Sequence, residues 1–194
     1  MILNPIRLVL MAFGAALGLV VILAVAVLAA AFAGSPGECD SGGRQVESNP
    51  ALAQQLQAKL DQLNAQLDAG QAASITFDES EATSRGREFL EDENAPIADL
   101  KICLNSDGPS ASGSLDAVLG LDVTAKVSGD IFLDGEHPTV DNLDIDVGAV
   151  PGFAAGGFDG AVEDVINDQL EHINLDHQLT ITFGEGTATL SGQP

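Results

Sequence analysis

The chain is 194 residues long and carries 29 acidic against seven basic side chains, a formal net charge of −22. So acidic a surface excludes nucleic acid as a partner, because binding phosphate requires clustered Lys and Arg. There is no Trp and no Tyr, so the aromatic platforms on which sugars and bases stack are reduced to phenylalanine.

The chain opens with seven residues whose one charged side chain is Arg7, followed by 26 uncharged, almost wholly apolar residues, Leu8 to Ala33. A helix of that length reaches about 39 Å at about 1.5 Å per residue, more than the roughly 30 Å of a hydrocarbon core, so it spans with some tilt. A signal peptide is the rival reading, because Ala31-Phe32-Ala33 before Gly34 has the small-residue form of a cleavage site. The apolar run is far longer than the roughly 7–15 residues of a signal peptide's core, which favours a retained anchor. Both readings deliver the remainder across the cell membrane. Arg7 before the span and Glu38 and Asp40 after it place the N-terminus in the cytoplasm and the C-terminal part outside. Residues 1–34 are therefore expected to form a cytoplasmic leader and a single transmembrane helix, with residues 8–33 in the membrane. Gly14 and Gly18 have the GxxxG spacing at which two spans approach closely, the basis for a weak dimer.

Residues 35–48 are polar and glycine-rich, a flexible linker without periodicity. Cys39 within it and Cys103 are the two cysteines of the chain, both on the oxidising side of the membrane. A disulfide between them is the expectation, an intermolecular pair or two free thiols the alternatives.

Residues 49–194 read as one extracytoplasmic α+β domain, with a core at about 72–193. Asn49 caps and Pro50 opens a helix whose Leu52, Leu56, Leu60, Leu63 and Leu67 recur at helical spacing up to Gly70. Ile75-Thr76-Phe77 is a short strand, and Asp78 with Glu81 forms a capping box for a second helix to about Leu90, weakened in its middle by Gly86. Period-two alternation then begins with Leu100, Ile102 and Leu104, placing Cys103 on the polar face. After a turn at Asp107-Gly108, Leu115, Ala117 and Leu119 lead into Leu121, Val123, Ala125, Val127, Ile131 and Leu133, all of one parity, with Gly129 at an inward position. Asp134-Gly135 makes a hairpin to a strand carrying Leu143, Ile145 and Val147, whose parity Val140 breaks, so a bulge is expected near Asp141. The glycine-rich stretch 151–160 leads to a helix with Val162, Val165, Ile166, Leu170 and Ile173 on one face. Two closing strands, 179–183 and 188–190, flank Gly184-Glu185-Gly186. The expected fold is an N-terminal transmembrane helix and a curved antiparallel sheet of about five to six strands packed on helices.

The residues that carry chemistry are sparse, and the expectation is a protein that is not an enzyme. His137, His172 and His177 are the histidines, and the last two, five apart, do not share a helix face. Gly108-Pro109-Ser110-Ala111-Ser112 lacks the final glycine of a nucleophile elbow and reads as a turn. Asn142, Asp144 and Asp146 alternate with apolar residues as the wet face of a strand does, without an EF-hand's glycine and glutamate. No catalytic residue, metal ligand or cofactor is assigned.

Ile75-Thr76-Phe77-Asp78-Glu79-Ser80-Glu81-Ala82-Thr83, the long alternating strands, Asp146-Val147-Gly148 with Pro151, Ile166-Asn167, and Ile181-Thr182-Phe183 through Gly186-Thr187-Ala188-Thr189-Leu190-Ser191-Gly192 together resemble small bacterial membrane-anchored or lipoprotein domains. These in turn resemble single units of the tubular lipid-binding superfamily. The resemblance covers about residues 72–193 and implies a curved sheet that wraps a long helix and leaves a groove for acyl chains. It assigns the lining to Val123, Val127, Ile131, Leu133, Ile145 and Val147 on the sheet and to Val162, Ile166 and Leu170 on the helix. The implied function is a membrane-tethered, non-enzymatic module that binds or shields a lipid or other apolar ligand. The alternative is an acidic ectodomain for protein–protein interaction or weak calcium binding.

Overall fold

The computed structural model describes residues 37–92, 97–115, 123–133, 137–146, 167, 170, 175 and 177–193. The expected membrane span at residues 8–33, with its Gly14 and Gly18, lies outside the described residues. Among the described residues no helix is long and apolar enough to cross a membrane.

Among the described residues two continuous helices form as their end signals dictate. Helix α1 spans Pro50–Asp68, with Asn49 extended and its side chain accepting the Leu52 amide at 3.1 Å. Proline at the first helical position loses no hydrogen bond there, and Gly70, at φ 73°, takes the left-handed conformation that ends the helix. Helix α2 spans Glu79–Asp92. Its start is the reciprocal box: Asp78 Oδ1 accepts the Glu81 amide at 2.9 Å and Glu81 Oε2 accepts the Asp78 amide at 3.1 Å.

Among the described residues seven strands make two antiparallel sheets rather than the single curved sheet of five or six strands that the alternation suggests. Strands β1 (Ala73–Asp78), β6 (Gln178–Gly184) and β7 (Thr187–Gln193) form a three-stranded sheet in the order β1-β7-β6. Strands β2 (Ile97–Asn105), β3 (Gly108–Leu115), β4 (Val123–Phe132) and β5 (Thr139–Asp146) form a four-stranded meander in that order. The split arises because β7 takes the short N-terminal β1 as its second neighbour, in register from Ala73↔Gly192 to Asp78↔Thr187. The expected turn at Gly108–Ser112 is instead the start of β3, an inner strand. Its Gly, Ser and Ala side chains carry little strand propensity, but they let neighbours come close: a Cβ on Gly113 would lie 3.0 Å from Ile97 Cγ2.

Two bulges keep apolar residues on one face. In β5 the register slips where Ser128↔Asp144 gives way to Asp130↔Asp141, and Asn142 adopts φ 52°. The extra residue brings Val140 onto the buried side with Leu143 and Ile145, although the spacing from 140 to 143 is odd. In β2 the same device operates at Asp99, also at φ 52°, between Ala98↔Ser114 and Lys101↔Ser112.

Across the meander, Ile102, Ala111, Val127 and Ile145 lie directly opposite one another, and all four are buried. The β2–β3 end of this face joins a core that unites α1, α2 and the three-stranded sheet through Leu56, Leu60, Leu63, Leu67, Phe77, Leu90, Leu100, Leu179 and Leu190. Each such apolar side chain stabilises by about 1.5–3 kcal/mol relative to exposure. The opposite face is polar, with Lys101, Ser112, Lys126 and Asp146 in one row and Cys103, Ser110, Ser128 and Asp144 in the next.

Candidate functional site

The outer edge of β2 is closed by a ladder of side chains from α2. Glu79, Thr83 and Arg87 stand four residues apart and meet Leu104, Ile102 and Leu100, two residues apart on the antiparallel course. Glu79 Oε1 accepts the Leu104 amide at 2.9 Å. Thr83 Oγ1 accepts the Ile102 amide at 2.9 Å and donates to its carbonyl at 3.4 Å. Arg87 Nε donates to the Leu100 carbonyl at 2.8 Å. The match is one of pitch: four helical residues rise about 6.0 Å and two strand residues about 6.6 Å. Gly86, on the same helix, admits the strand closely, since a Cβ there would lie 2.7 Å from Leu100 Cδ2.

Residues 37–48, the described part of the expected linker 35–48, have no regular secondary structure and cross this edge as a strap that ends at the Asn49 cap. At one end Cys39 and Cys103 form a disulfide, Cα–Cα 5.9 Å, and the Cys39 amide donates to Ser112 Oγ at 3.1 Å. Cys103 belongs to the polar face by parity, yet it is fully buried because the strap lies on it. At the other end the Glu47 and Asn49 amides donate to Ser80 Oγ and Ser84 Oγ.

Between these ends Arg44 ties the strap to three segments. Its Nε and Nη2 reach the two Glu79 oxygens at 3.0 and 2.8 Å, and Nη2 also donates to the Leu104 carbonyl and Asn105 Oδ1. Nη1 meets Glu185 in the β6–β7 turn at 3.2 Å. The hydrogen bonds that Arg44 donates to Glu79 raise the guanidinium pKa above its ordinary value, desolvation opposes this, and the charge of Glu79 and the bond and charge of Glu185 add to the rise. Glu79 itself is buried, a charge tolerable there because it is paired and accepts a backbone amide.

A cleft of about 650 Å³ opens along the strap. Its lining includes Arg44, Arg87 and Lys101 against Glu38, Glu47 and Asp99, together with Ser112, Ser114 and Thr124. Charge in it is balanced and mostly engaged: Lys101 pairs with Glu38 at 3.1 Å, and Ser114 Oγ bonds the Ala98 carbonyl and Asp99. No histidine is among the lining residues, and among the described residues no group of three His, Cys, Asp or Glu is placed to hold a metal ion.

Of the apolar positions assigned from the resemblance, Val127, Ile131 and Ile145 lie on the other face of the meander. Val127, Leu133 and Ile145 are buried, Ile131 packs half-buried on the core, and Leu170 is buried. Val123 belongs to β4, while Val147, Val162 and Ile166 lie outside the described residues. Of the helix expected across 162–173, Asn167 and Leu170 are described, and both are helical. Asn167 was not singled out as a site residue. Its Oδ1 accepts the Val140 amide at 2.9 Å and its Nδ2 donates to the Val140 carbonyl at 2.8 Å, so one amide side chain closes the outer edge of β5 as a strand would.

No protein-family model matches the chain, and neither does any curated protein or solved structure.

Proposed function

We propose that the chain is a membrane-tethered, extracytoplasmic, non-enzymatic module that binds or shields a lipid or another apolar molecule against the β4–β5 end of its meander. The observation that carries this reading is a second set of buried apolar side chains at that end. Val127, Val140, Leu143 and Ile145 are buried there, beside Ala111 and Ile131 of the cluster that joins the helices and both sheets, and Leu170 is buried too. The Asn167 clamp on Val140 supports it, since Asn167 stands three residues before the buried Leu170, the spacing of one helix face. The long uncharged run at 8–33 supplies the tether. Native mass spectrometry of the full chain after mild detergent extraction tests the reading. A bound lipid of discrete mass is the expected result, and an empty protein that also fails to take up lipid added back overturns it.

A further inference from the structure

Among the described residues the two sheets present four outer edges, and side chains close three of them. Strand β2 is closed by Glu79, Thr83 and Arg87. Strand β1 is closed by Lys59, which donates to the Thr76 carbonyl at 2.9 Å, and by Glu81, which accepts the Asp78 amide. Strand β5 is closed at Val140 by Asn167. Among the described residues no hydrogen bond reaches the outer edge of β6. The two-residue turn Glu185-Gly186 makes Gly184 and Thr187 the bonded closing pair, so alternation turns the amides and carbonyls of Leu179, Ile181 and Phe183 outward.

Exposed edges invite pairing, and proteins usually blunt them with charge. Strands β1, β2 and β5 carry Asp78, then Asp99 and Lys101, then Asp141, Asp144 and Asp146. Strand β6, Gln178–Gly184, carries none. In a chain of net charge −22, copies repel one another over most of their surface, and contact is least opposed at an uncharged strand. The sequence of β6 is also nearly a palindrome about Ile181: Leu179-Thr180-Ile181-Thr182-Phe183.

We infer that β6 pairs antiparallel with β6 of a second copy of this chain, about a two-fold axis at Ile181. Ile181 then faces its own equivalent, Thr180 faces Thr182, and Leu179 faces Phe183, giving about six new backbone hydrogen bonds. The two three-stranded sheets become one of six strands. Ile181 and Phe183, partly buried in the single chain, gain cover from the second copy. Exposed Thr180 and Thr182 extend the hydroxyl-bearing rows Ser74-Ser191-Thr180 and Thr76-Thr189-Thr182 across the axis without bringing like charges together. An edge contact of this size is small for a soluble dimer. Confinement of both copies to one membrane raises their effective concentration and makes it sufficient.

The full chain, reconstituted in bilayers, is tested with Thr180→Cys and Thr182→Cys introduced together, Cys39 and Cys103 being already joined. Mild oxidation should give a covalent dimer, whereas Ser74→Cys with Thr76→Cys, on the far edge of the same sheet, should not. Thr180→Asp with Thr182→Asp should lower the dimer fraction about tenfold, since like charges then face each other, with an unchanged circular dichroism spectrum. Mixing that variant with Thr180→Lys and Thr182→Lys should restore a mixed dimer, a recovery that misfolding would not give. Absence of cross-linking at β6, equal cross-linking at both edges, or failure of the mixed charges to recover the dimer would each overturn the inference.

Discussion

Thr83 Oγ1 satisfies both backbone groups of Ile102, accepting its amide at 2.9 Å and donating to its carbonyl at 3.4 Å. The hydroxyl does for the edge of β2 what another strand would, and it sits midway between Glu79 and Arg87. Replacing it by its near-isostere isolates that role. Thr83→Val should cost about 1–3 kcal/mol, the penalty for a buried amide and carbonyl left unpaired, and Thr83→Ser should recover most of the loss. Denaturant unfolding measures both, and faster exchange of the Ile102 amide in the Val variant locates the effect.

Glu79 holds Arg44 and the Leu104 amide together. Glu79→Gln keeps the size and loses the charge, so it should destabilise by about 2 kcal/mol, in the range of hydrogen bonds to charged groups. With Glu79 intact, Arg44→Lys should also destabilise, because an ammonium cannot serve the two carboxylate oxygens in a fork. With its folded pKa raised, Arg44 contributes stability that is complete below the unfolded pKa and is lost only as pH rises through the folded one. Its coupling to Glu79 should therefore be unchanged from about pH 7 to pH 10. A double-mutant cycle at both pH values checks this.

The Cys39–Cys103 bridge closes a separation of 64 residues. In the chain-entropy model Cys39→Ser with Cys103→Ser should cost about 4 kcal/mol. Amide exchange should rise first at residues 38–43, ahead of the Arg44 end, which retains its own bonds. Equal exchange along the whole strap would place the fastening elsewhere.

Gly192 sits where a side chain would crowd two leucines. A Cβ there would lie 2.6 Å from Leu67 Cδ1 and 2.9 Å from Leu179 Cδ2, both in buried side chains. Gly192→Ala should destabilise by about 1–3 kcal/mol through overpacking, although the change lowers the entropy of the unfolded chain. Thermal unfolding reads the sign directly.

Local signals were readable where they are local in cause. Asn49-Pro50, the Asp78 and Glu81 box, the Gly70 stop and the bulge beside Asp141 each follow from side chains within a few positions of the event. The division into two sheets was not readable, because the choice of β1 as the second neighbour of β7 is made across more than a hundred residues. Strand β3 was hidden by its glycines and serines, whose place in a sheet is set by what packs on them. The ladder left a faint trace: polar residues at 79, 83 and 87 oppose apolar ones at 100, 102 and 104. Spacing of four against two marks a helix that can bond a strand edge, but only knowledge of their adjacency makes it meaningful. Asn167 had no trace, since a clamp on a backbone selects no residue type in its partner.

Uptake of a fluorescent fatty acid by the detergent-solubilised full chain, compared with Ile145→Trp, tests the proposed function most directly. Ile145 lies on the buried β4–β5 face, where the added volume displaces a guest. The account predicts saturable uptake by the native chain and a loss of about tenfold or more in affinity for the variant, with its fold intact by circular dichroism. No uptake by the native chain, or equal uptake by both, would contradict it.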